Sequence, residues 1–158
     1  MPTIKIETQI KAPAYRCFDL SRDVDLHLAS TRQTGETAIA GKTSGLIELN
    51  ETVTWRARHF GVWQNLTSKI TVMERPLFFV DEMVDGAFKS FRHEHHFFEA
   101  GVFTNMTDVF IFESPFGILG KIANALFLKQ YMANLLIKRN AIIKQFAENG
   151  ELQNKDHA

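Results

Sequence analysis

The chain has 158 residues, 45% of them apolar, and its eighteen Lys plus Arg are balanced by eighteen Asp plus Glu. That length suits one domain with a core of its own, and the charge balance excludes a general electrostatic pull toward nucleic acid or anionic membranes. The single cysteine, Cys17, excludes an internal disulfide, and fourteen phenylalanines against two tryptophans and two tyrosines suit a large core or an apolar cavity, because Phe brings area without a polar group to satisfy.

Thr3 to Ile10 alternates, with Ile4, Ile6 and Ile10 on one side, and predicts a half-buried strand. Pro13 suits the first turn of a helix over Ala14 to Leu20. Ser21 and Asp23 are candidate caps for a second short helix, Val24 to Ala29. Glu36 to Ala40 and Leu46 to Leu49 are short strand candidates. From Glu51 the pattern is strand after strand. Glu51 to Phe60 places Val53, Trp55, Ala57 and His59 on one side. Gly61-Val62 turns the chain, and Trp63 to Glu74 returns with Leu66, Ser68, Ile70 and Val72 on one side. Leu77 to Val84 follows, then Asp85-Gly86 as the strongest hairpin signal. Lys89 to Glu99 and Val102 to Glu113 flank Ala100-Gly101.

Gly120 to Glu148 reads as one long helix, its apolar residues spaced by three and four. Gly150 suits its end. Residues 1–150 are expected to form one domain, and 151–158 a frayed tail. Gly117 to Gly120 suits either a hinge over a cavity mouth or a rigid turn. The N-terminus lacks the apolar stretch of a signal peptide, and no run of about eighteen apolar residues suggests a spanning helix. A cytoplasmic location without stable membrane insertion is expected.

The elements add up to an α+β architecture, a curved antiparallel sheet of about seven strands around a long C-terminal helix. A sheet bent around a helix can leave an interior space. A two-residue loop at Ala100-Gly101 sets Phe91 opposite Phe110, His93 opposite Asp108 and His95 opposite Met106. A longer loop shifts these partners and keeps the faces. Phe91, His93, His95, Phe97, Met106, Asp108, Phe110 and Phe112 share one face, richer in aromatics and poorer in charge, which is assigned inward. His59 joins that face with Trp55. Whether Asp81 or Glu82 faces inward is left open.

Thr54-Trp55-Arg56-Ala57-Arg58-His59, Phe91-Arg92-His93-Glu94-His95-His96-Phe97, Met106-Thr107-Asp108, and Pro115-Phe116-Gly117 followed by Phe127-Leu128-Lys129-Gln130-Tyr131 together resemble the SRPBCC superfamily (START and polyketide cyclase-like proteins). More narrowly they resemble its bacterial branch of ligand-binding proteins of unassigned function. The resemblance runs from Ile4 to about Glu148. It implies the helix-grip fold, with two short helices after the first strand and a deep apolar cavity between sheet and helix. It carries over no established reaction, and the iron-binding helical His and carboxylate pattern of the oxygenase members is absent from the sequence.

A small hydrophobic ligand is therefore the expected partner. Trp55, Phe91, Met106, Phe110, Phe127 and Tyr131 are the candidate cavity lining. His59, His93, His95 and Asp108 are the candidate polar end, since buried imidazole and carboxylate must be paired. The alternative is a cyclase- or hydrolase-like enzyme with His93 and Asp108 as an acid–base pair. His59, His93, His95 and Asp108 also have the chemistry of zinc ligands, but His-x-His alone is a weak signal, and neither metal nor other cofactor is expected. Cys17 reads as core. Arg56, Arg58, Lys69 and Arg92, interleaved with Trp63 and Phe98, read as a solvated sheet face rather than a nucleic-acid surface. Lys129, Lys138, Arg139 and Lys144 read as the wet side of the helix. The sequence does not give the oligomeric state.

Overall fold

The computed structural model describes residues 1–114 and 118–150, with backbone alone for 118–125. The expected tail at 151–158 lies outside the described residues, as does Gly117 of the expected hinge or turn at Gly117 to Gly120, whose residues 118–120 already belong to the last helix. In chain order the elements are β1 (Thr3–Ile10), α1 (Ala14–Ser21), α2 (Val24–Ser30), a single 3-10 turn (Arg32–Thr34), β2 (Thr37–Gly41), β3 (Thr52–His59), β4 (Val62–Glu74), β5 (Phe78–Asp85), β6 (Ser90–Ala100), β7 (Phe103–Glu113) and α3 (Ile118–Asn149). The strands form one seven-stranded sheet in the order β1-β7-β6-β5-β4-β3-β2, each neighbouring pair antiparallel. Among the described residues no helix is long and apolar enough to cross a membrane.

The local chemistry follows the sequence closely. Pro13 precedes α1 in an extended conformation. The Asp23 carboxylate caps α2, accepting from the backbone N–H groups of Asp25 and Leu26. On β6 the odd positions 91 to 97 are buried, and on β7 the even positions 104 to 112 are buried, as the alternation required.

Four expectations need correction. The β6–β7 turn is Gly101-Val102, closed by Ala100 opposite Phe103, so every partner moves by two residues. Phe91 faces Phe112, His93 faces Phe110, His95 faces Asp108 and Phe97 faces Met106. Asp85-Gly86 is not a two-residue hairpin. The β5–β6 ladder ends at Glu82 opposite Arg92, and the longer link tucks Phe88 against Phe91, Phe110 and Phe112. Burying that ring offsets the cost of the longer loop. Leu46 to Leu49 forms no strand; Leu46 makes only an isolated bridge to Asp23. On β4 the register shifts between Ile70 and Val72, and beyond that bulge Met73 rather than Val72 packs on the core.

Among the described residues the core has two apolar clusters. One gathers Cys17, Phe18, Val24, Phe97, Met106 and Ile143. The other gathers Ile4, Phe91, Phe110, Phe112 and Leu136. On β6 the residues between them are His93 and His95, on β7 Asp108, and on α3 Arg139 and Asn140. A belt of buried polar groups therefore lies across the sheet and the helix between two apolar clusters. Cys17 belongs to the core, and burial pushes its thiol up to about 11, beyond useful nucleophilicity.

Candidate functional site

Strand pairing assembles the belt. Asp81 stands opposite His93 across β5 and β6, and His95 opposite Asp108 across β6 and β7. The hydrogen bonds run on the diagonals of this square, which long side chains can span. His93 Nε2 donates to Asp108 Oδ1 at 2.9 Å, and His95 Nε2 donates to Asp81 Oδ2 at 2.7 Å. The two imidazoles lie 3.9 Å apart between centroids, and Phe79 stacks on His95 at 4.0 Å. His93 Nδ1 faces Asp81 Oδ2 at 3.9 Å. His95 Nδ1 lies 3.1 Å from Asp108 Oδ1 but is not aligned for a hydrogen bond to it.

The helix closes the belt from the other side. Asn140 Nδ2 donates to Asp108 Oδ2 at 2.7 Å. Arg139 Nη1 donates to Asn140 Oδ1 at 3.1 Å and lies 3.6 Å from Asp108 Oδ1, while Nη2 donates to the Ser21 carbonyl at 2.8 Å. Arg139 is thus buried, and the expectation that it belongs to the wet side of the helix is wrong. Its neighbours Leu136, Asn140 and Ile143 form the inward stripe of α3. Glu82 points outward and pairs with Arg92, so Asp81 is the inward carboxylate of β5.

Burial alone would neutralise these groups, and their mutual contacts decide otherwise. Desolvation raises the Asp108 carboxyl, but the hydrogen bond from His93 and the close imidazole of His95 hold it well below its ordinary value. Asp81 is lowered against its desolvation by the hydrogen bond from His95 and by the charges of both histidines and Arg139. His93 is lowered by desolvation and by the neighbouring His95, which outweigh its contact with Asp108. His95 is raised, because Asp108 and Asp81 on either side overcome its desolvation. The opposite shifts make His95 rather than His93 the imidazole that holds a proton more readily, beside the permanent cation Arg139.

A cavity of about 510 Å³ lies between the sheet and α3, with Asp81, His93, His95 and Arg139 in its wall. Val53, Ile70, Phe91, Phe110 and Leu136 are among its apolar lining. Phe91 and Phe110 stack at 5.3 Å. A second polar group lines another part of the cavity. His27 Nε2 lies 3.2 Å from Glu36 Oε1, and the His59 Nδ1 to Tyr131 hydroxyl hydrogen bond is 2.6 Å. Burial lowers His59, partly offset by Glu36, and burial together with the Glu36 charge raises Tyr131. The Glu36 carboxyl is lowered despite its own desolvation, chiefly by His27. Phe60 beside Tyr131 is exposed, which marks this end as the outer one.

Seven of the ten residues singled out in the sequence line the cavity: Trp55, His59, Phe91, His93, His95, Phe110 and Tyr131. Three do not. Asp108 lies behind the histidines, Met106 is fully buried in the core and receives the Ser21 hydroxyl, and Phe127 is exposed, its ring tilted against Phe60. His59 does not share the polar end with His93 and His95. β3 and β6 are three strand spacings apart, about 14 Å along the sheet. The sequence leaves Asp81 open and does not point to Arg139, Asn140, Glu36 or His27. For Asn140 a signal existed, because it lies four residues after Leu136 and three before Ile143 on the inward stripe.

No protein-family model matches the sequence, and no curated protein matches it. Solved structures do. An aromatase/cyclase, Zhui, from Streptomyces sp. R1128 superposes with a TM-score of 0.73 at 11% identity, over 92% of this chain and 93% of that one. The protein TTHA0849 from Thermus thermophilus gives 0.69 at 17% identity, over 90% and 97%. The major latex-like protein 151 from Panax ginseng gives 0.65 at 16% identity, over 92% and 97%. This is the helix-grip fold. At these identities the likeness extends to the fold alone, which is the one the SRPBCC resemblance implied.

Proposed function

We propose that the chain binds a small lipophilic molecule in the cavity between sheet and α3. The observation that carries this reading is the cavity itself, whose volume of about 510 Å³ falls in the range of small-molecule sites. Its lining is mostly apolar with a few fixed polar groups, the usual composition of such sites. The apolar body of the guest would rest against Phe91, Phe110 and Leu136. One oxygen-bearing end would meet His93 and His95, and Asp108 would hold the two imidazoles in place. Trp55, His59 and Tyr131 would border the guest at the outer end. This reading places the chain in the bacterial ligand-binding branch of SRPBCC proteins, as a single cytoplasmic domain over residues 1–150.

Native mass spectrometry of gently purified protein tests it, together with titration of an environment-sensitive naphthalene dye. A co-purified apolar molecule, or saturable uptake of one dye per chain, is expected. A chain that carries nothing and takes up no dye would refute the reading.

A second reading has its own support. His93 is neutral and donates its Nε2 proton to Asp108, which leaves the Nδ1 lone pair as a base. The same cavity would then be the site of acid–base chemistry, such as cyclisation or hydrolysis. His93→Gln separates the two readings. An enzyme loses turnover far more than affinity, whereas a carrier loses little beyond affinity.

A further inference from the structure

We propose that Asp81, His93 and His95 form a binding site for a divalent transition-metal ion, opening on the cavity. The site goes beyond the ligand-binding reading and stands whether or not the cavity carries a lipophilic guest.

The donors come first. Among the described residues, one donor atom from each of these three side chains lies within 4.8 Å of the other two. Asp81 Oδ2 is 2.7 Å from His95 Nε2 and 3.9 Å from His93 Nδ1. Nitrogen and carboxylate ligands bind zinc at about 2.0–2.2 Å, which sets tetrahedral neighbours about 3.3 Å apart. That spacing falls between the two observed distances, so small side-chain movements suffice. Two imidazoles and one carboxylate suit zinc, cobalt and iron better than magnesium or calcium, which prefer oxygen throughout.

The surroundings supply an independent argument. Each histidine turns one nitrogen toward Asp81 and the other toward Asp108. His93 Nε2 is hydrogen-bonded to Asp108 Oδ1, and His95 Nδ1 lies 3.1 Å from the same oxygen. A single buried carboxylate thus faces the far side of both imidazoles. Metal-bound histidines are held in this manner, with the remote N–H donated to a carboxylate that fixes the tautomer. Asn140 and Arg139 fix that carboxylate in turn. His95 Nδ1 is buried and makes no hydrogen bond. With an ion on Nε2, Nδ1 must carry the proton, and a small turn of the ring would aim it at Asp108 Oδ1, already 3.1 Å away.

Charge is consistent with an ion there. The belt holds two carboxylates, Asp81 and Asp108, and one permanent cation, Arg139. With both imidazoles neutral, a divalent ion beside these groups leaves one net positive charge. The open coordination position faces the cavity, where a hydroxide or an ionised oxygen of a guest would complete both the charge and the ligand set.

Equilibrium dialysis of the chelator-stripped full chain against Zn²⁺ or Co²⁺ tests this. One ion per chain is expected, with visible cobalt bands of a four- or five-coordinate site. His95→Gln should weaken binding by about a hundredfold or more, and Asp108→Asn, which touches no ion, by about ten- to a hundredfold. His96→Gln, a half-exposed histidine paired with Glu94, should change nothing. If the variants fail to fold, proton NMR of the wild-type cobalt form decides. Two hyperfine-shifted, slowly exchanging imidazole N–H signals are expected, one from each histidine. No retained ion, binding abolished by His96→Gln but not by His95→Gln, or a cobalt form without those two signals would overturn the site.

Discussion

His95 Nε2 stands 2.7 Å from Asp81 Oδ2, in a position where neither residue can be spared a partner. The imidazole is buried on a strand whose inward residues are Phe91, His93 and Phe97 besides itself, so apart from His93 its neighbours on the strand are apolar. Without Asp81 and Asp108 it would be a costly polar group in an apolar interior. The same holds in reverse for the two carboxylates. The belt is therefore one unit, and it explains why the two apolar clusters are not merged into a single continuous core. A cavity bordered by such a unit can orient a guest. A cavity bordered by leucines alone would only hold it.

Replacing Asp108 should reveal how much of the fold depends on that unit. Asp108→Asn keeps the shape but removes the charge that faces His93, His95 and Arg139. Breaking a buried ion pair by removing one partner costs about 3–5 kcal/mol. Urea unfolding of Asp108→Asn should show a loss in that range. Asp81→Asn should lose less, because Asp81 keeps 19% of its side chain exposed and is partly solvated. Equal losses would mean that the two carboxylates share the burden evenly.

The stability of the metal-free protein should vary with pH on both sides of neutrality. Asp81 and Asp108 ionise below their ordinary 3.8 in the fold. Their contribution is present above that value and disappears as pH falls through the lowered one. His93 is also lowered, so below 6.5 the unfolded chain binds a proton that folded His93 refuses, and stability falls with acid. His95 is raised and acts with the opposite sign. Its contribution is complete below 6.5 and is lost as pH rises through the raised value. Urea titrations across pH should therefore show an alkaline decline in the wild type that His95→Gln removes. A wild type with no alkaline decline would rule out a protonated His95.

The sequence made the architecture legible because its signals were periodic and local. Alternation on 91 to 97 and 104 to 112 gave the correct inward faces, even though the turn position was wrong by one residue. A shift of one on each side of a hairpin moves partners by two and leaves faces intact. Asp81 stayed undecided because Phe78, Phe79 and Val80 are apolar in succession, so alternation could not orient β5. The bulge after Ile70 left no trace in residue type. Arg139 was misjudged because Lys138 beside it suggested a charged helix face. His59 was grouped with His93 by face alone, which says nothing of distance across the sheet.

Filling the cavity should uncouple binding from folding. Ala57 is buried in the β3 wall, and its methyl group faces the cavity rather than a packed core. Ala57→Phe would place a ring where a guest is proposed to lie. With space to receive it, the ring avoids the strain of overpacking. The melting temperature should change by no more than about 3 °C, corresponding to about 1 kcal/mol in a domain of this size. Dye uptake measured by fluorescence titration should fall at least tenfold. Unchanged uptake would place the guest elsewhere.

The outer end is expected to govern exchange rather than stability. Phe60 and Phe127 touch at 5.3 Å between ring centres, tilted by 45°, yet are 55% and 58% exposed, so truncating either to Ala removes little buried area. Tyr131 differs, because its hydroxyl bonds half-buried His59 at 2.6 Å. Tyr131→Phe leaves that imidazole without its partner and should cost about 1 kcal/mol, the usual net value of one hydrogen bond. Stopped-flow release of bound dye should be faster in Phe60→Ala and Phe127→Ala than in the wild type, at nearly unchanged stability. If release is unaltered in both, the guest leaves by another route and this end is not the portal.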